Sequence, residues 1–266
     1  MTVVRRARLD AELVRRGLAR SRDQAAQLIG EGLVRVGGRV ATKPATAVEP
    51  GDPLVVTAAP GPAYASRGGF KLAGALATFG YSPLGLRALD AGASTGGFTD
   101  VLLRGGASTV IAVDVGYGQL HWALQGDPRV SVMDRTNVRS LSAEHIGGPV
   151  DLVVADLSFI PLARVLPALS SCATSEGDLI LMVKPQFEVG RARLPAGGVV
   201  RDADARAGAV TDVATAAWGL GWGVRGVTAS PLPGPSGNVE YFLWLRRDAP
   251  EGNACDVQQA VREGPQ

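Results

Sequence analysis

The chain has 266 residues, 46% hydrophobic and 20% charged, which is the composition of a globular protein with one full domain and a small one. It has no apolar run long enough to span a membrane, and its first residues lack the apolar core of a signal peptide. Cys172 and Cys255 are too few for a disulfide framework, and His121 and His145 have no partners at metal-ligand spacing. We therefore expect a cytoplasmic protein without a metal site and with both histidines at the surface.

The formal net charge of +2 is unevenly distributed along the chain. Residues 1–60 contain ten Lys and Arg against six Asp and Glu, whereas the remaining residues contain 17 against 19. A small basic segment beside a nearly neutral large one is typical of a polyanion-binding module attached to a catalytic domain. Charge alone also leaves open an ordinary solvated surface.

The basic segment has the sequence pattern of a small α+β domain. Leu9 and Leu13 lie at helical spacing, and a capping box that begins at Ser21 precedes a second amphipathic helix. The stretch LVRVGGRV predicts a hairpin that turns at its two glycines. We predict two helices, then the hairpin and a further strand.

The stretch TAAPGPAYAS separates this segment from the rest of the chain, because it has no hydrophobic periodicity and is rich in Pro, Gly and Ala. We expect an N-terminal domain at 1–60, a linker at 61–66, a large domain at 67–247 and a disordered tail at 248–266.

Seven apolar runs follow the linker, separated by helical or turn-rich stretches. They are LRALDAG, STVIAVDVG, RVSVMDR, VDLVVADLS, DLILMVKPQ, WGVRGVTASP and NVEYFLWLRR. Nearly continuous hydrophobic strands that alternate with helices are typical of a parallel sheet buried on both faces. The predicted fold class of the large domain is therefore α/β.

Polar residues repeatedly stand where these runs end. They are Asp90, Asp114, Asp134, Asp156 and Lys184. In open α/β sheets, ligands bind beyond the carboxyl ends of the strands. We therefore expect these side chains to contribute to one site.

The stretch ALDAGASTGGFTD, at the end of the first run, concentrates glycine at Gly92, Gly96 and Gly97. Glycine lets a backbone approach a ligand closely, but the spacing differs from the G-x-G-x-x-G of dinucleotide-binding loops. Asp90 would repel a pyrophosphate and would suit a ligand with an ammonium or sulfonium charge, and Asp114 could accept hydrogen bonds from a ribose. The residues favour S-adenosylmethionine, and they leave open a dinucleotide or a purely structural turn.

The helix–helix–hairpin order in RLDAELVRRGLARSRDQAAQLIGEGLVRVGGRVATKP resembles the small RNA-binding domain, or αL motif, of a ribosomal small-subunit protein. That resemblance implies docking on structured RNA through shape and phosphate contacts. The candidate phosphate ligands, each of which could instead be an ordinary surface residue, are Arg5, Arg6, Arg15, Arg20, Arg22 and Arg35.

Further stretches resemble the TlyA (haemolysin A) family of ribosomal RNA 2′-O-methyltransferases, within the FtsJ-like superfamily. They are YASRGGFKL, LDAGASTGGFTD, VDVGYGQL, DLSFIPL, MVKPQFEVG, GGVVRD and SPLPGPSGNVEYFLWL. The resemblance, from about Arg5 to Arg246, implies a seven-stranded methyltransferase sheet whose last strand is antiparallel. It also implies S-adenosylmethionine as methyl donor and a cytidine 2′-hydroxyl of ribosomal RNA as acceptor, so that the partner is a ribosomal subunit or its RNA.

The resemblance carries the superfamily's catalytic Lys-Asp-Lys-Glu set to Lys71, Asp156, Lys184 and Glu240. The two carboxylates would hold and tune the lysines, and Lys184 would either take the hydroxyl proton or stabilise the developing charge. The implied cofactor-binding residues are Asp90, Gly92, Ala93, Ser94, Thr95, Gly96, Gly97, Phe98, Asp114, Asp134 and Asp156.

Some interpretations stay open at this point. Phe159 and Phe187 either stack on a base or on the cofactor's adenine, or pack in the core. Relatives often carry a tryptophan before the SRGG stretch, where this chain has Ala63-Tyr64. The alternatives to an enzyme are a cytolysin, which would need a membrane-active segment, and a non-catalytic ribosome-binding protein, against which the intact catalytic set argues.

Overall fold

The computed structural model divides the chain into two compact units, Met1–Ala63 and Tyr64–Gln266. The residues that the structure describes are 6–19, 22–30, 32–57, 64–190, 192–234 and 237–264. Among the residues singled out from the sequence, Arg5, Arg20 and Ser21 lie outside these ranges.

The described part of the first unit contains two helices and two small antiparallel sheets. Its elements are β1 (Ala7–Arg8), α1 (Leu9–Arg15), α2 (Arg22–Gly30), β2 (Val34–Val36), β3 (Arg39–Val40), β4 (Ala47–Val48) and β5 (Leu54–Val56). Strand β1 pairs with β4, and β2 lies between β3 and β5. The predicted hairpin is confirmed as β2–β3, and Gly37 and Gly38 turn it with φ of 55° and 82°, as a type I′ turn requires. Leu9, Leu13 and Ile29 join the two helices in one core.

The second unit alternates strands with helices. Its elements are α3 (Gly68–Phe79), β6 (Arg87–Ala91), α4 (Gly97–Arg104), β7 (Thr109–Val113), α5 (Trp122–Gln125), β8 (Val130–Met133), β9 (Val150–Ala155), α6 (Leu166–Cys172), β10 (Ala173–Val183), α7 (Pro185–Glu188), α8 (Ala203–Trp218), β11 (Gly223–Ala229), β12 (Tyr241–Arg246) and α9 (Ala254–Glu263). Short 3-10 turns occupy Val138–Ser140 and Leu162–Arg164.

All seven predicted strands form one sheet, in the order β11-β12-β10-β9-β6-β7-β8. Strand β12 runs antiparallel to both of its neighbours, and the other six strands share one direction. The predicted α/β class, the seven strands and the antiparallel last strand are therefore confirmed.

Hydrophobic cores cover both faces of this sheet. Successive residues of β6 alternate between them, so that Ala88 packs on one side with Leu72 of α3, and Leu89 packs on the other with Leu166 of α6 and Val213 of α8. Strands that are buried on both faces explain why the sequence shows nearly continuous apolar runs. The polar ends of those strands are left to form a site.

The second unit begins inside the stretch that was predicted as a linker, 61–66. Tyr64 makes an edge-on contact with Phe70, with ring centroids 5.0 Å apart. The backbone N–H of Ala65 donates to Asp100 Oδ2 at 2.8 Å. Residues 64–66 therefore pack on the second unit, whereas 61–63 lie outside the described residues.

The prediction of a disordered tail at 248–266 is wrong. The tail contains α9, where the side chain of Asn253 caps the helix by accepting from the N–H of Cys255 at 2.9 Å. Val257, Ala260 and Val261 lie on one face of α9 and are buried in the core that also contains β11 and α8 residues. The apolar face of this helix supplies the burial that a disordered tail lacks.

Candidate active site

The predicted polar side chains gather at one edge of the seven-stranded sheet. They are Asp90 at the end of β6, Asp114 after β7, Asp134 after β8, Asp156 after β9 and Lys184 after β10. Because β12 is antiparallel, its amino end reaches the same edge, where Tyr241 pairs with Val183. Glu240, directly before Tyr241, therefore stands next to the end of β10.

Lys71 and Glu240 form a deeply buried ion pair. Lys71 lies in the first turn of α3, and its Nζ donates a hydrogen bond to Glu240 Oε2. The side chains are 8% and 1% exposed. Gly234 packs on the other carboxylate oxygen, since a Cβ there would lie 2.6 Å from Glu240 Oε1. A buried charge is costly unless it is paired, so each residue depends on the other.

Lys184 forms a second ion pair, with Asp156. Its Nζ lies 2.5 Å from Asp156 Oδ1 and donates a hydrogen bond to Ser158 Oγ at 3.0 Å. The side chains of Lys184 and Asp156 are 10% and 24% exposed, so this pair is more accessible than the first. Sequence reasoning missed Ser158, because a serine two residues beyond a strand carries no distinctive pattern.

The start of α3 brings the two ion pairs close together. A Cβ at Gly68, three residues before Lys71, would lie 3.9 Å from Asp156 Oδ2. A Cβ at Gly69 would lie 3.0 Å from the carbonyl oxygen of Gly97 at the start of α4. The four residues predicted to be catalytic therefore converge at one edge as two lysine–carboxylate pairs.

Asp90 is a fully buried carboxyl with one unused oxygen. Thr99 Oγ1 donates to Asp90 Oδ2 at 2.7 Å, whereas Asp90 Oδ1 has no hydrogen-bond partner among the described residues. Burial raises the pKa of Asp90 to about 7, the hydrogen bond from Thr99 opposes that rise, and the charges of Asp156 and Asp114 add to it. An unsatisfied buried acceptor of this kind suits a ligand that brings a positive charge or a donor.

The glycine loop is shaped by contacts within the protein. Gly92 has φ of +86°, and a Cβ there would lie 2.6 Å from the carbonyl oxygen of Asp156. Gly96 has φ of +95°, and a Cβ there would lie 2.3 Å from Leu124 Cδ1. Both positions therefore require glycine even without a ligand. The sequence located these turns, and their packing partners emerge only from the fold.

The acids after β7 and β8 hold the adjoining loops. Asp114 accepts from the N–H of Ser94 through Oδ2 at 2.9 Å and from the N–H of Gly116 through Oδ1 at 2.7 Å. Asp134 Oδ2 accepts from the N–H of Gly118 at 2.8 Å. Each carboxylate oxygen keeps a further lone pair, so both acids can also accept from a ligand.

The remaining loop residues differ in accessibility. Ser94 is exposed and Thr95 is half-buried, whereas Ala93 and Phe98 are buried. The ring of Phe98 packs on Phe242 with centroids 6.0 Å apart. The side chain of Phe98 is therefore a core residue, and only its backbone is left for a ligand.

Exposed aromatic side chains surround this edge of the sheet. Tyr117 and Trp122, in the segment that follows β7, are 70% and 69% exposed, and the guanidinium of Arg135 lies 4.2 Å from the ring centroid of Tyr117. Phe159, which follows β9, is 89% exposed with φ of +65°. Sequence reasoning missed Tyr117 and Trp122, because exposure cannot be read from residue type.

Phe159 does not pack in the core, which excludes one of the two interpretations of this residue. Its ring lies beside that of Phe187, with centroids 5.1 Å apart, and Lys184 Nζ lies 5.9 Å from the centroid of Phe187. The aromatic pair therefore stands next to the more accessible ion pair.

Asn238 is a further residue that sequence reasoning missed, although a stretch that resembles the TlyA family contains it. It is buried, its Oδ1 accepts from the N–H of Val200 at 2.9 Å, and its Nδ2 donates to the carbonyl oxygen of Gly198 at 2.9 Å. It therefore ties the GGVVRD segment to the chain just before Glu240.

The histidines have local structural roles. His121 caps α5 by accepting from the N–H of Ala123 at 3.3 Å, and His145 Nδ1 lies 3.1 Å from Ser142 Oγ. Within the described ranges, no three His, Cys, Asp or Glu side chains come together as metal ligands. No helix in the described part of the chain is long and apolar enough to cross a membrane.

In the first unit, four of the predicted arginines are described, and each has a partner inside the unit. Arg6 pairs with Glu49 at 3.1 Å, Arg15 with Glu12 at 2.6 Å, and Arg22 with Asp10 at 3.0 Å, while Arg35 donates to the carbonyl oxygen of Gly38 at 3.0 Å. The side chains of the three ion-paired arginines are 59–68% exposed. Their guanidinium groups are therefore accessible from solvent.

Comparison with known proteins finds a matching family for each of the two units. Residues 64–247 match the FtsJ-like methyltransferase family, and residues 7–54 match the S4 domain. The chain is 59% identical to the 16S/23S rRNA (cytidine-2′-O)-methyltransferase TlyA of Mycobacterium tuberculosis, over 99% of this chain and 100% of that protein.

Other relatives lead to the same family. The chain is 38% identical to a candidate rRNA methyltransferase, YqxC, of Bacillus subtilis, over 97% of this chain and 92% of that one. The solved structure of a candidate hemolysin from Streptococcus thermophilus superposes with a TM-score of 0.77 at 35% identity, over 98% of this chain and 96% of that one. The chain therefore belongs to the FtsJ-like methyltransferase family, in the TlyA group that carries an N-terminal S4 domain.

Proposed function

We propose that this protein transfers a methyl group from S-adenosylmethionine to the 2′-hydroxyl of a cytidine in ribosomal RNA. The Mycobacterium tuberculosis relative carries this activity in its name, and it aligns along its whole length. With ribosomal RNA as substrate, we expect the reaction to take place in the cytoplasm, on a ribosomal subunit or its RNA.

The observation that carries the proposal is the convergence of two buried lysine–carboxylate pairs at the carboxyl edge of the sheet. Transfer to a hydroxyl needs a group that handles the proton and a cation that stabilises charge on the attacking oxygen. Lys184 with Asp156 supplies both functions at the accessible pair. In the second pair, Glu240 fixes the buried ammonium of Lys71, three residues after Gly68, which packs near Asp156.

The residues present fit S-adenosylmethionine. Asp90, with its unused Oδ1, would attract the cationic methionine end of the ligand, because a nearby positive charge favours its ionised form. Asp114 and Asp134 retain acceptor capacity for the ribose hydroxyls and the adenine amino group. When bound, this cofactor supplies a methyl carbon that its sulfonium makes electrophilic.

The bound cofactor would supply the methyl group to the 2′-oxygen, and the hydroxyl proton would have to leave in the same transfer. Two routes use the Lys184–Asp156 pair. As an ammonium, Lys184 donates to the 2′-oxygen and stabilises its charge while the proton passes to solvent. Alternatively, Lys184 first passes a proton to Asp156 and then, as an amine, takes the hydroxyl proton.

Exposed side chains on both units suit the binding of RNA. The exposed arginines of the first unit can bind phosphates, and the exposed ring of Phe159 beside Phe187 offers a surface on which an unstacked base can lie. A base that leaves its stack brings its ribose within reach of a buried catalytic group.

The test is methyl transfer with the purified full-length protein, labelled S-adenosylmethionine and ribosomal RNA, followed by mapping of the modified nucleotide. We expect a label on a cytidine ribose. RNA with 2′-deoxyribose at that cytidine should bind and accept no methyl group. Methylation of the deoxy substrate would move the reaction to the base and contradict the 2′-O assignment.

A further inference from the structure

Glu188 takes no part in the proposed reaction, yet it connects the two segments that form the accessible half of the site. The first segment, residues 156–162, follows β9. The second segment, residues 184–188, follows β10 and contains α7. The carboxylate of Glu188 accepts the backbone N–H of Leu162 with both oxygens, Oε1 at 3.0 Å and Oε2 at 3.3 Å.

This hydrogen bond is the outermost of a series of contacts between the two segments. Lys184 contacts Asp156 and Ser158, and the ring of Phe187 lies beside that of Phe159. Further along both segments, Glu188 accepts from Leu162. The order of contacts is the same in the two segments, so Glu188 closes the end that is farthest from the catalytic pair.

The first segment needs such an anchor. Phe159 has φ of +65°, a conformation that a bulky L-residue adopts only where its surroundings hold it. Its ring is almost fully exposed, so little side-chain packing fixes it. Leu162 is buried at the start of a 3-10 turn, where its N–H has no acceptor within the turn, and Glu188 supplies one.

We propose that Glu188 is a positioning residue, whose carboxylate holds residues 157–162 so that Ser158 and Phe159 meet Lys184 and Phe187. The kinetic consequence rests on the proposed methyl transfer to RNA. The contact itself exists without RNA and is tested separately.

The surroundings of Glu188 make its ionisation sensitive near neutral pH. Burial raises the pKa of Glu188 to about 7, the N–H of Leu162 opposes the rise, and the negative charge of Asp212 on α8 adds to it. Arg164, in the 3-10 turn that begins at Leu162, is exposed. An ionised carboxylate accepts from Leu162 with both oxygens, whereas protonation turns one oxygen into a donor. The raised pKa nevertheless means that the surroundings of Glu188 as a whole favour the protonated carboxyl, so the segment should be held less tightly as pH rises through about 7.

The first experiment follows hydrogen exchange of the peptide that contains Leu162, in the full-length protein without RNA. Glu188→Ala should raise exchange of the Leu162 amide about 10-fold or more, as expected for the loss of a hydrogen bond to a charged group. Glu188→Gln keeps one acceptor oxygen, so it should retain most of the protection and lose the change in protection near pH 7. Glu144→Gln, the same change at an exposed glutamate, is the matched control and should leave exchange unchanged.

The second experiment measures methyl transfer by the same variants. Glu188→Ala should lower kcat about 10-fold, with S-adenosylmethionine affinity within about 2-fold of the original, because positioning acts on the reacting complex. Glu188→Gln should recover most of kcat. Unchanged exchange in Glu188→Ala, or lost protection with unchanged kcat, would overturn the proposal. If the unsubstituted protein methylates no RNA, the proposed function fails, and the exchange experiment still decides whether Glu188 holds Leu162.

Discussion

The two units of this protein both form ion pairs between basic side chains and carboxylates, but the basic side chains lie in opposite surroundings. In the first unit, the side chains of Arg6, Arg15 and Arg22 are 59–68% exposed while they contact their carboxylates. In the second unit, the side chains of Lys71 and Lys184 are 8% and 10% exposed. The basic side chain is therefore exposed in the first unit and buried in the second, although the carboxylates of Glu12 and Asp10 in the first unit are themselves buried.

This difference in exposure suits the ion pairs of the two units to different functions. An exposed guanidinium is hydrated and contributes little to stability through its pair, so it can exchange a carboxylate for a phosphate at small cost. A buried ammonium cannot lose its partner without leaving an uncompensated charge. We conclude that the first unit presents adaptable cations and the second unit holds fixed ones, as the proposed RNA binding and the proposed catalysis would respectively require.

The largest expected effect comes from a substitution in the Lys184–Asp156 pair, which is the more accessible of the two pairs in the second unit. Lys184→Ala should lower the single-turnover rate of methyl transfer by at least about 10²-fold, since loss of a proton-transfer group or a charge stabiliser has consequences of this size. Binding of S-adenosylmethionine and RNA should change far less, because the demand on Lys184 peaks in the transition state.

Lys184→Arg separates the two routes for the proton. Arginine keeps the positive charge and cannot act as a base near neutral pH. Substantial recovery of the rate relative to Lys184→Ala would assign Lys184 to charge stabilisation. An alanine variant that transfers methyl at the original rate would contradict any catalytic role for this residue.

Breaking the deeply buried Lys71–Glu240 pair should have the largest effect on the stability of the fold. Glu240→Gln leaves the ammonium of Lys71 buried and unpaired, and breaking a buried pair in this way costs about 3–5 kcal/mol. The free energy of unfolding in denaturant measures the loss. Adding Lys71→Met to Glu240→Gln removes the orphaned charge and should recover part of that stability. A single variant that costs less than about 1 kcal/mol would remove the distinction between fixed and adaptable pairs.

Asp90 should link stability and cofactor binding to pH. Its pKa is raised to about 7 in the folded protein, against an ordinary value of 3.8, so between these values the folded state holds a proton that the unfolded state has released. The contribution of Asp90 to stability is therefore present below about pH 4 and is lost as pH rises through 7. The loss is on the order of a few kcal/mol, because each pKa unit corresponds to about 1.4 kcal/mol.

Asp90→Asn provides the measurement. The difference in unfolding free energy between the two proteins should shift in favour of the variant as pH rises from about 4 to 7. A cationic ligand favours ionised Asp90, so calorimetry of S-adenosylmethionine binding just below pH 7 should detect proton release that the variant lacks. Equal proton release in both proteins would show that the ligand does not contact Asp90.

The sequence predicts the parts of this structure that depend on local pattern or on the family resemblance. The seven strands were predictable because strands buried on both faces read as long apolar runs. The helical spacing of Val257, Ala260 and Val261, with Asn253 as cap, was also legible and was overlooked when the tail was taken as disordered. That error was one of interpretation, since the signal for α9 is present.

The contacts that define the site could not be predicted in the same way. Asp90 Oδ1 has no hydrogen-bond partner among the described residues, and no local pattern in the sequence predicts this. Glu188 and Leu162 meet only because β9 and β10 are neighbours in the sheet. Gly96 stays a predicted cofactor-binding residue, but its sequence context does not reveal that a Cβ there would meet Leu124, which lies 28 residues further along the chain.

The smallest expected effect on the fold belongs to the pairs whose arginine is exposed, and it completes the comparison between the units. Arg15→Gln removes a cation whose carboxylate partner, Glu12, keeps a second hydrogen bond from Arg16 at 2.7 Å. The midpoint of thermal unfolding should therefore change little.

Affinity for ribosomal RNA should fall at low salt, and the slope of log affinity against log salt should lessen by about one unit if Arg15 neutralises one phosphate. Arg129→Gln is the matched control, since it breaks an exposed arginine–aspartate pair in the second unit. A large loss of stability in Arg15→Gln, or identical salt slopes for Arg15→Gln and the unsubstituted protein, would show that this pair serves the fold and not the RNA.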